Sequence, residues 1–172
     1  ARNWIKLRHL KNKDKKITII LANYPVKDGR IANGVGLDTP ESLLVILKSL
    51  ESMGYYLGEN KIPNNSRDLI YEILQGRTND PESKYKPPLE YISLKVYLEW
   101  WKKLNIEIKN KVINRWDLPH KAIDLEVSGF SIHGIKFGNI SVLIQPSRGY
   151  DSESISDLHS PDLPPPHRYL AQ

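Results

Sequence analysis

The sequence predicts an α/β fold: a mixed, mostly parallel sheet with flanking helices and a C-terminal β-hairpin followed by a long Pro-rich loop. Three observations carry this. The apolar, β-branched run from Ile17 to Ala22 has the length and composition of a buried strand. After a long Gly- and Asn-containing loop comes a helix with a readable start and stop. Near the other end, FGNISVLIQP joins Gly-Asn turn chemistry to a strong strand, Ile140 to Ile144.

The first helix is placed over residues 40–53. Asp38 precedes Glu41 by three residues, a capping-box spacing, and Pro40 sits where a missing N–H costs nothing. Leu43, Ile46, Leu47 and Leu50 share one helical face, and Gly54 suits the C-terminal cap. Residues 55–57 read as a second strand. Asn65 or Ser66 caps a short helix with Leu69, Ile70, Ile73 and Leu74 inward, and Gly76 closes it. Residues 77–88, RTNDPESKYKPP, read as an exposed loop.

Ser93 opens a helical stretch over 94–116, interrupted at Asn105. Leu94, Tyr97, Leu98, Trp101 and Leu104 form its first apolar stripe, and Ile108, Val112, Ile113 and Trp116 its second. Pro119 lies beyond its end. Trp101 reads as core and Trp100 as boundary. The hairpin is placed near residues 130–144. The expected organisation is a basic linker or helix end over 1–16, an α/β domain over 17–150, and a loop over 151–172 leading into a helix that is cut off. The chain reads as an internal piece of a larger protein.

The net charge of +5 does not imply a nucleic-acid partner. Residues 1–16 carry seven basic side chains against Asp14, a net of +6, so the other 156 residues sum to −1. A nucleic-acid reading would rest on that segment alone and would require steeply salt-dependent binding. No apolar run approaches the ~20 residues of a membrane span. The absence of cysteine excludes disulfides and thiolate metal sites, and the cytoplasm is the default location.

Three places invite chemistry. Gly34-Val35-Gly36 supplies G-x-G between a strand and a helix, but Thr39 replaces the third glycine of a dinucleotide fingerprint and no G-K-[ST] follows. The loop either brings backbone N–H groups to an anion or needs a positive φ. Gln145 and Arg148 lie where the strong strand empties into the long loop. Strand C-termini face ligand crevices in α/β sheets, and an amide with a guanidinium suits carboxylates and carboxamides. His159 and His167 flank SPDLPPP, which spans roughly 25 Å as polyproline II, so a shared metal requires the chain to turn back, with Asp162 as oxygen partner. His133 reads as structural. No G-x-S-x-G occurs, so a serine hydrolase is rejected.

NYPVKDGRIANGVGLDTPESLLVILKSLESMGY, GNISVLIQPSRGYD and LHSPDLPPPHRYLA, in that order, resemble three signature stretches of the cobaltochelatase large subunit (CobN) family, which is related to the large H component of magnesium chelatase. The resemblance runs from about Lys16 to Ala171 and is loose over residues 59–128. It implies the tetrapyrrole- and metal-binding subunit of an ATP-dependent cobaltochelatase. Such a subunit inserts Co²⁺ into hydrogenobyrinic acid a,c-diamide in cobalamin biosynthesis, while AAA+ partner subunits hydrolyse the ATP. Mapped onto these stretches, the chemistry of metal insertion makes His159 and His167 the expected metal-handling residues, with Asp162 beside them in catalysis, and Asn33, Gly34, Gly36, Gln145 and Arg148 the expected grip on the macrocycle. Two other readings are a docking domain for the AAA+ subunits without chemistry, and an H-type component of a magnesium chelatase.

Overall fold

A computed structural model describes residues 2–23, 31–32, 34, 36–59, 61–147 and 162–172. Strand β1 (Ile17–Leu21) pairs in parallel with β5 (Ile140–Ile144), placing Ile17 opposite Ile140 and Leu21 opposite Ile144. Strand β4 (Gly134–Phe137) adds to β5 antiparallel, so the sheet order is β1-β5-β4. A second, two-stranded antiparallel sheet joins β2 (Glu90–Ser93) to β3 (Gly129–Ile132). The main sheet is mixed, and parallel pairing is confined to its β1–β5 pair.

Helix α1 (Arg2–His9) has no buried residue, so the basic segment begins as a solvated helix. Helix α2 (Thr39–Ser52) starts as its sequence demands: the Asp38 carboxylate accepts from the Glu41 N–H at 3.0 Å. Its buried face is Leu43, Leu44, Leu47 and Leu50, whereas Ile46 is 46% exposed. The face has rotated by one residue from the predicted stripe because α3 (Ser66–Gln75) packs beside it and buries Leu69 and Ile73. Those side chains meet Leu21, Phe137, Ile140, Val142 and Ile144 of the sheet in one core. Each fully buried leucine contributes roughly 1.5–3 kcal/mol. An N-cap contributes ~1 kcal/mol, so packing rather than capping fixes where α2 lies.

A second core gathers Tyr97 and Trp101 of α4 (Leu94–Trp101), Val112 of α5 (Ile106–Trp116) and Phe130 of β3. Asn105 does interrupt the helical stretch, and its side chain caps α5 by accepting from the Glu107 N–H at 2.7 Å. Ile108, inward by periodicity, is 47% exposed; Val112 and the half-buried Ile113 and Trp116 carry that face. The final helix, α6 (His167–Ala171), lays Leu170 and Ala171 on the same core. No helix among the described residues is long and apolar enough to cross a membrane.

Two expectations about strands are corrected. Residues 55–57 form no strand: they run up to the hairpin turn and make a single backbone bond there, from the Asn139 N–H to the Tyr56 carbonyl at 2.9 Å. The hairpin is β4–β5, because Phe130–Ile132 leaves it to pair with β2. At the turn, Gly138 has φ +52°, and a Cβ built there would run into the Gly58 nitrogen and lie 2.6 Å from the Leu57 carbonyl carbon. Backbone cannot yield as a flexible side chain does. Gly138→Ala is therefore expected to destabilise by about 3 kcal/mol in urea unfolding, near the upper end of single substitutions, whereas Gly54→Ala, with open space around it, is expected to cost about 1 kcal/mol. Equal losses in the two variants would show that close approach, as opposed to positive φ, has no effect.

Candidate functional site

Residues 77–88 are not the exposed loop that their polarity suggests. Arg77, Thr78 and Ser83 are buried, and the loop's own side chains satisfy its backbone. The Thr78 N–H donates to Ser83 Oγ at 2.9 Å, and Asp80 caps a 3-10 turn over Pro81–Ser83 through the Glu82 N–H. The Arg77 guanidinium donates to the carbonyls of Lys84 and Lys86, to Ser131 Oγ and to Glu126. The loop thereby becomes one wall of a cavity of about 440 Å³ at the C-terminal ends of β3 and β5. His133 and Asp124 line it beside the ends of the strands, Trp116 from α5, and His167 and Arg168 from α6.

The α6 wall is tied down from several sides. Trp116 Nε1 donates to the Pro164 carbonyl at 2.6 Å, and Gln172 Nε2 to the Ile144 carbonyl at 3.0 Å. Arg168 pairs with Asp124, whose other oxygen accepts from the Ser131 N–H at 3.0 Å. Burial alone would raise the Asp124 pKa. The Ser131 N–H and the Arg168 charge outweigh it and hold the carboxyl below the usual carboxylate range.

His167 and His133, both buried, are held as opposite tautomers. His167 Nε2 lies 2.9 Å from the Asp117 carbonyl, which can only accept, so Nε2 carries the proton. Nδ1 then accepts from the Tyr97 hydroxyl at 2.9 Å, while the ring stands edge-on to Tyr97 and Trp101. Both ring nitrogens are thus occupied, and a metal at His167 would have to displace one of these partners. Burial lowers the His167 pKa against the opposing pull of the Asp117 carbonyl, and burial pushes the Tyr97 hydroxyl pKa up.

For His133 the orientation is set by Asn79. Asn79 Nδ2 donates to the Gln145 carbonyl at 2.7 Å, which turns Oδ1 toward His133 Nδ1 at 3.3 Å. Nδ1 therefore donates, and Nε2 is left as a bare lone pair, buried and without a hydrogen-bond partner among the described residues. Burial, reinforced by the Arg168 and Arg77 charges against the weaker pull of Asp124, lowers the His133 pKa to about 4.

The residues singled out in the sequence fall into three groups. Asn33, Arg148 and His159 lie outside the described residues. Gly34 and Gly36 form a turn at the head of α2, with Gly36 at φ +74°, and neither lines the cavity. Asp38 already occupies the Glu41 N–H there. His167 lines the cavity, whereas Gln145 does not and instead donates through Nε2 to the Tyr169 hydroxyl of α6 at 3.3 Å. Asp162 sits exposed, five residues before His167. Arg77, Asn79, Asp124 and His133 were missed. The available signal was positional: His133 follows β3 as Gln145 follows β5, at the same end of the strands.

A depressed histidine pKa means that the unfolded chain binds the proton more readily. Stability from neutral His133 is complete above pH ~6.5 and is lost as pH falls toward 4. Between pH 7 and 4 this is a loss of about 3 kcal/mol, with His167 adding in the same direction. Urea unfolding at both pH values should show His133→Gln losing markedly less stability on acidification than the parent. Parallel losses would mean that His133 is not held neutral.

Comparison with known proteins agrees with this architecture. A family model described as CobN/Magnesium Chelatase matches residues 1–172. The chain is 38% identical to the aerobic cobaltochelatase subunit CobN of Pseudomonas aeruginosa, covering 99% of this chain and 14% of that one. It is 39% identical to CobN of Sinorhizobium sp, covering 99% and 13%. Identity to the H component of the Chlorobaculum parvum magnesium chelatase is 26%, covering 99% and 13%. The solved catalytic subunit of cobaltochelatase from Mycobacterium tuberculosis superposes with a TM-score of 0.77 at 29% identity, over 96% of this chain and 14% of that one. The chain thus spans about one seventh of the length of these relatives. With the family model matched along all 172 residues, this chain belongs to the CobN/magnesium chelatase family.

Proposed function

We propose that the chain is a segment of the tetrapyrrole- and metal-binding large subunit of an ATP-dependent cobaltochelatase. The whole protein, in this reading, inserts Co²⁺ into hydrogenobyrinic acid a,c-diamide during cobalamin biosynthesis in the cytoplasm, forming nitrogen–metal bonds. ATP is hydrolysed by AAA+ partner subunits, a division of labour that suits a chain with no G-K-[ST] phosphate loop. The observation that carries the cobalt assignment is the identity gap: 38% and 39% to two CobN proteins against 26% to a magnesium-chelatase H component.

Metal insertion requires three things: partial dehydration of the ion, a base for the pyrrolic N–H protons, and a grip on the polar edge of the ring. Imidazole and carboxylate suit the first two. We assign them to His159, Asp162 and His167, the last meeting a metal only by releasing the Tyr97 hydroxyl or the Asp117 carbonyl. Asn33, Gly34, Gly36, Gln145 and Arg148 would hold the macrocycle. The rival with a specific observation behind it is an H-type component for Mg²⁺, supported by the 26% identity over 99% of the chain.

The test is reconstitution of the full-length protein with its ATPase partners, ATP, Co²⁺ and hydrogenobyrinic acid a,c-diamide. The expected result is cobalt insertion that needs both components, with His159→Ala reducing kcat by about 100-fold or more, the scale of one lost acid–base group. Insertion of Mg²⁺ into a porphyrin with no cobalt activity would establish the rival. An active His159→Ala variant would remove that residue from the metal path.

A further inference from the structure

The cavity between the 77–88 loop and α6 is built for a ligand that the preceding assignments do not use. Its wall holds a histidine that is 97% removed from solvent, with one nitrogen satisfied and the other without a partner among the described residues. Leaving a buried acceptor unpaired costs about 1–3 kcal/mol, so a native fold that keeps one carries a cost that a ligand donor would relieve. Asn79 fixes which nitrogen is bare, because its amide is oriented by the Gln145 carbonyl. What is offered is therefore an acceptor and not a donor.

The charges in the wall select the rest of the ligand. Arg77, Lys84 and Arg168 line the cavity together with Asp80 and Asp124, and Arg168 is paired directly with Asp124. Arg77 is engaged by Glu126 and by backbone carbonyls, and Arg168 gives one arm to Asp124. A guanidinium has five N–H donors, so Arg168 can hold Asp124 and still address a second oxyanion. Lys84 stands exposed at the rim. The field of Arg168 and Arg77 opposes a proton on His133, and it opposes a metal cation at the same nitrogen for the same reason. Among the described residues no cluster of three metal-ligating side chains occurs.

We propose that this cavity binds a small carboxylate that also carries an N–H or O–H donor, the donor bonding to His133 Nε2 and the carboxylate to Arg168 and Lys84. The site takes a ligand, or an arm of a larger ligand, with a carboxylate at one end and a primary amide or hydroxyl at the other. It discriminates against the dicarboxylate of the same length, because a second carboxylate would set a lone pair against the lone pair of His133.

Equilibrium dialysis of the full-length protein at pH 7.5 tests this, with radiolabelled succinamate (one carboxylate, one amide) and succinate as probes. Saturable binding of succinamate is expected, about tenfold tighter than succinate, equivalent to about 1.4 kcal/mol for one hydrogen bond at a buried acceptor. His133→Leu should abolish that preference. Lys84→Gln, at an exposed position where folding is not at stake, should weaken both probes about threefold or more, the scale of one charge contact. Equal affinity for the two probes, no saturable binding at millimolar concentration, or binding indifferent to Lys84→Gln would overturn the proposal. So would displacement of succinamate by stoichiometric Co²⁺, since that would make the cavity a cation site.

Discussion

The rest of the structure depends on the parallel pairing of β1 with β5. Two five-residue strands about 120 residues apart in sequence lie side by side, and everything between them has to be accommodated as one crossover. That requirement explains the two cores. Helices α2 and α3 cover the main sheet, and the remaining elements form a satellite around Tyr97, Val112 and Phe130. The pairing also sets where the cavity opens. Gln145 follows β5 and donates its N–H to the carbonyl of Leu21 at the end of β1, so the strand ends open at one level. The cavity lies beside that level, bounded by α6 and the 77–88 loop.

Much of the scaffold was legible in the sequence because its signals are local. Asp38, Asn65 and Ser93 act as the caps that the sequence predicts, accepting from N–H groups three residues ahead, and Asn105, expected only as an interruption, caps α5 as well. The β5 run is buried as its apolarity predicts, whereas β1, at the sheet edge, buries only Leu21 and leaves Ile20 56% exposed. What the sequence hides depends on partners far away along the chain. Ile46 and Leu44 exchange places because of α3, and Phe130–Ile132 chooses β2 over the nearer β4.

The cavity was the least legible part, for a related reason. Arg77, Thr78 and Ser83 look like surface residues by type, and burying them requires a complete set of hydrogen bonds that no composition rule shows. His133 reads as structural from its place beside a turn. Its tautomer follows from a carbonyl on another strand, by way of an amide 54 residues away from it in sequence. The positional rule for strand ends points to the neighbourhood of the cavity through Gln145, yet that side chain braces Tyr169 and the cavity wall is formed by its neighbours.

The division into two cores has a kinetic consequence. The satellite core draws mainly on residues 92–130, so much of it can assemble from neighbouring segments. The main core lacks its central strand until Ile140–Ile144 arrives. Contacts of long sequence separation pay their loop-closure entropy before any burial compensates it. During synthesis α2 and α3 must therefore wait, with Leu43, Leu47 and Leu69 exposed, until the last strand has left the ribosome. The interval in which this family segment is open to misassociation is set by one short strand near its C-terminal end.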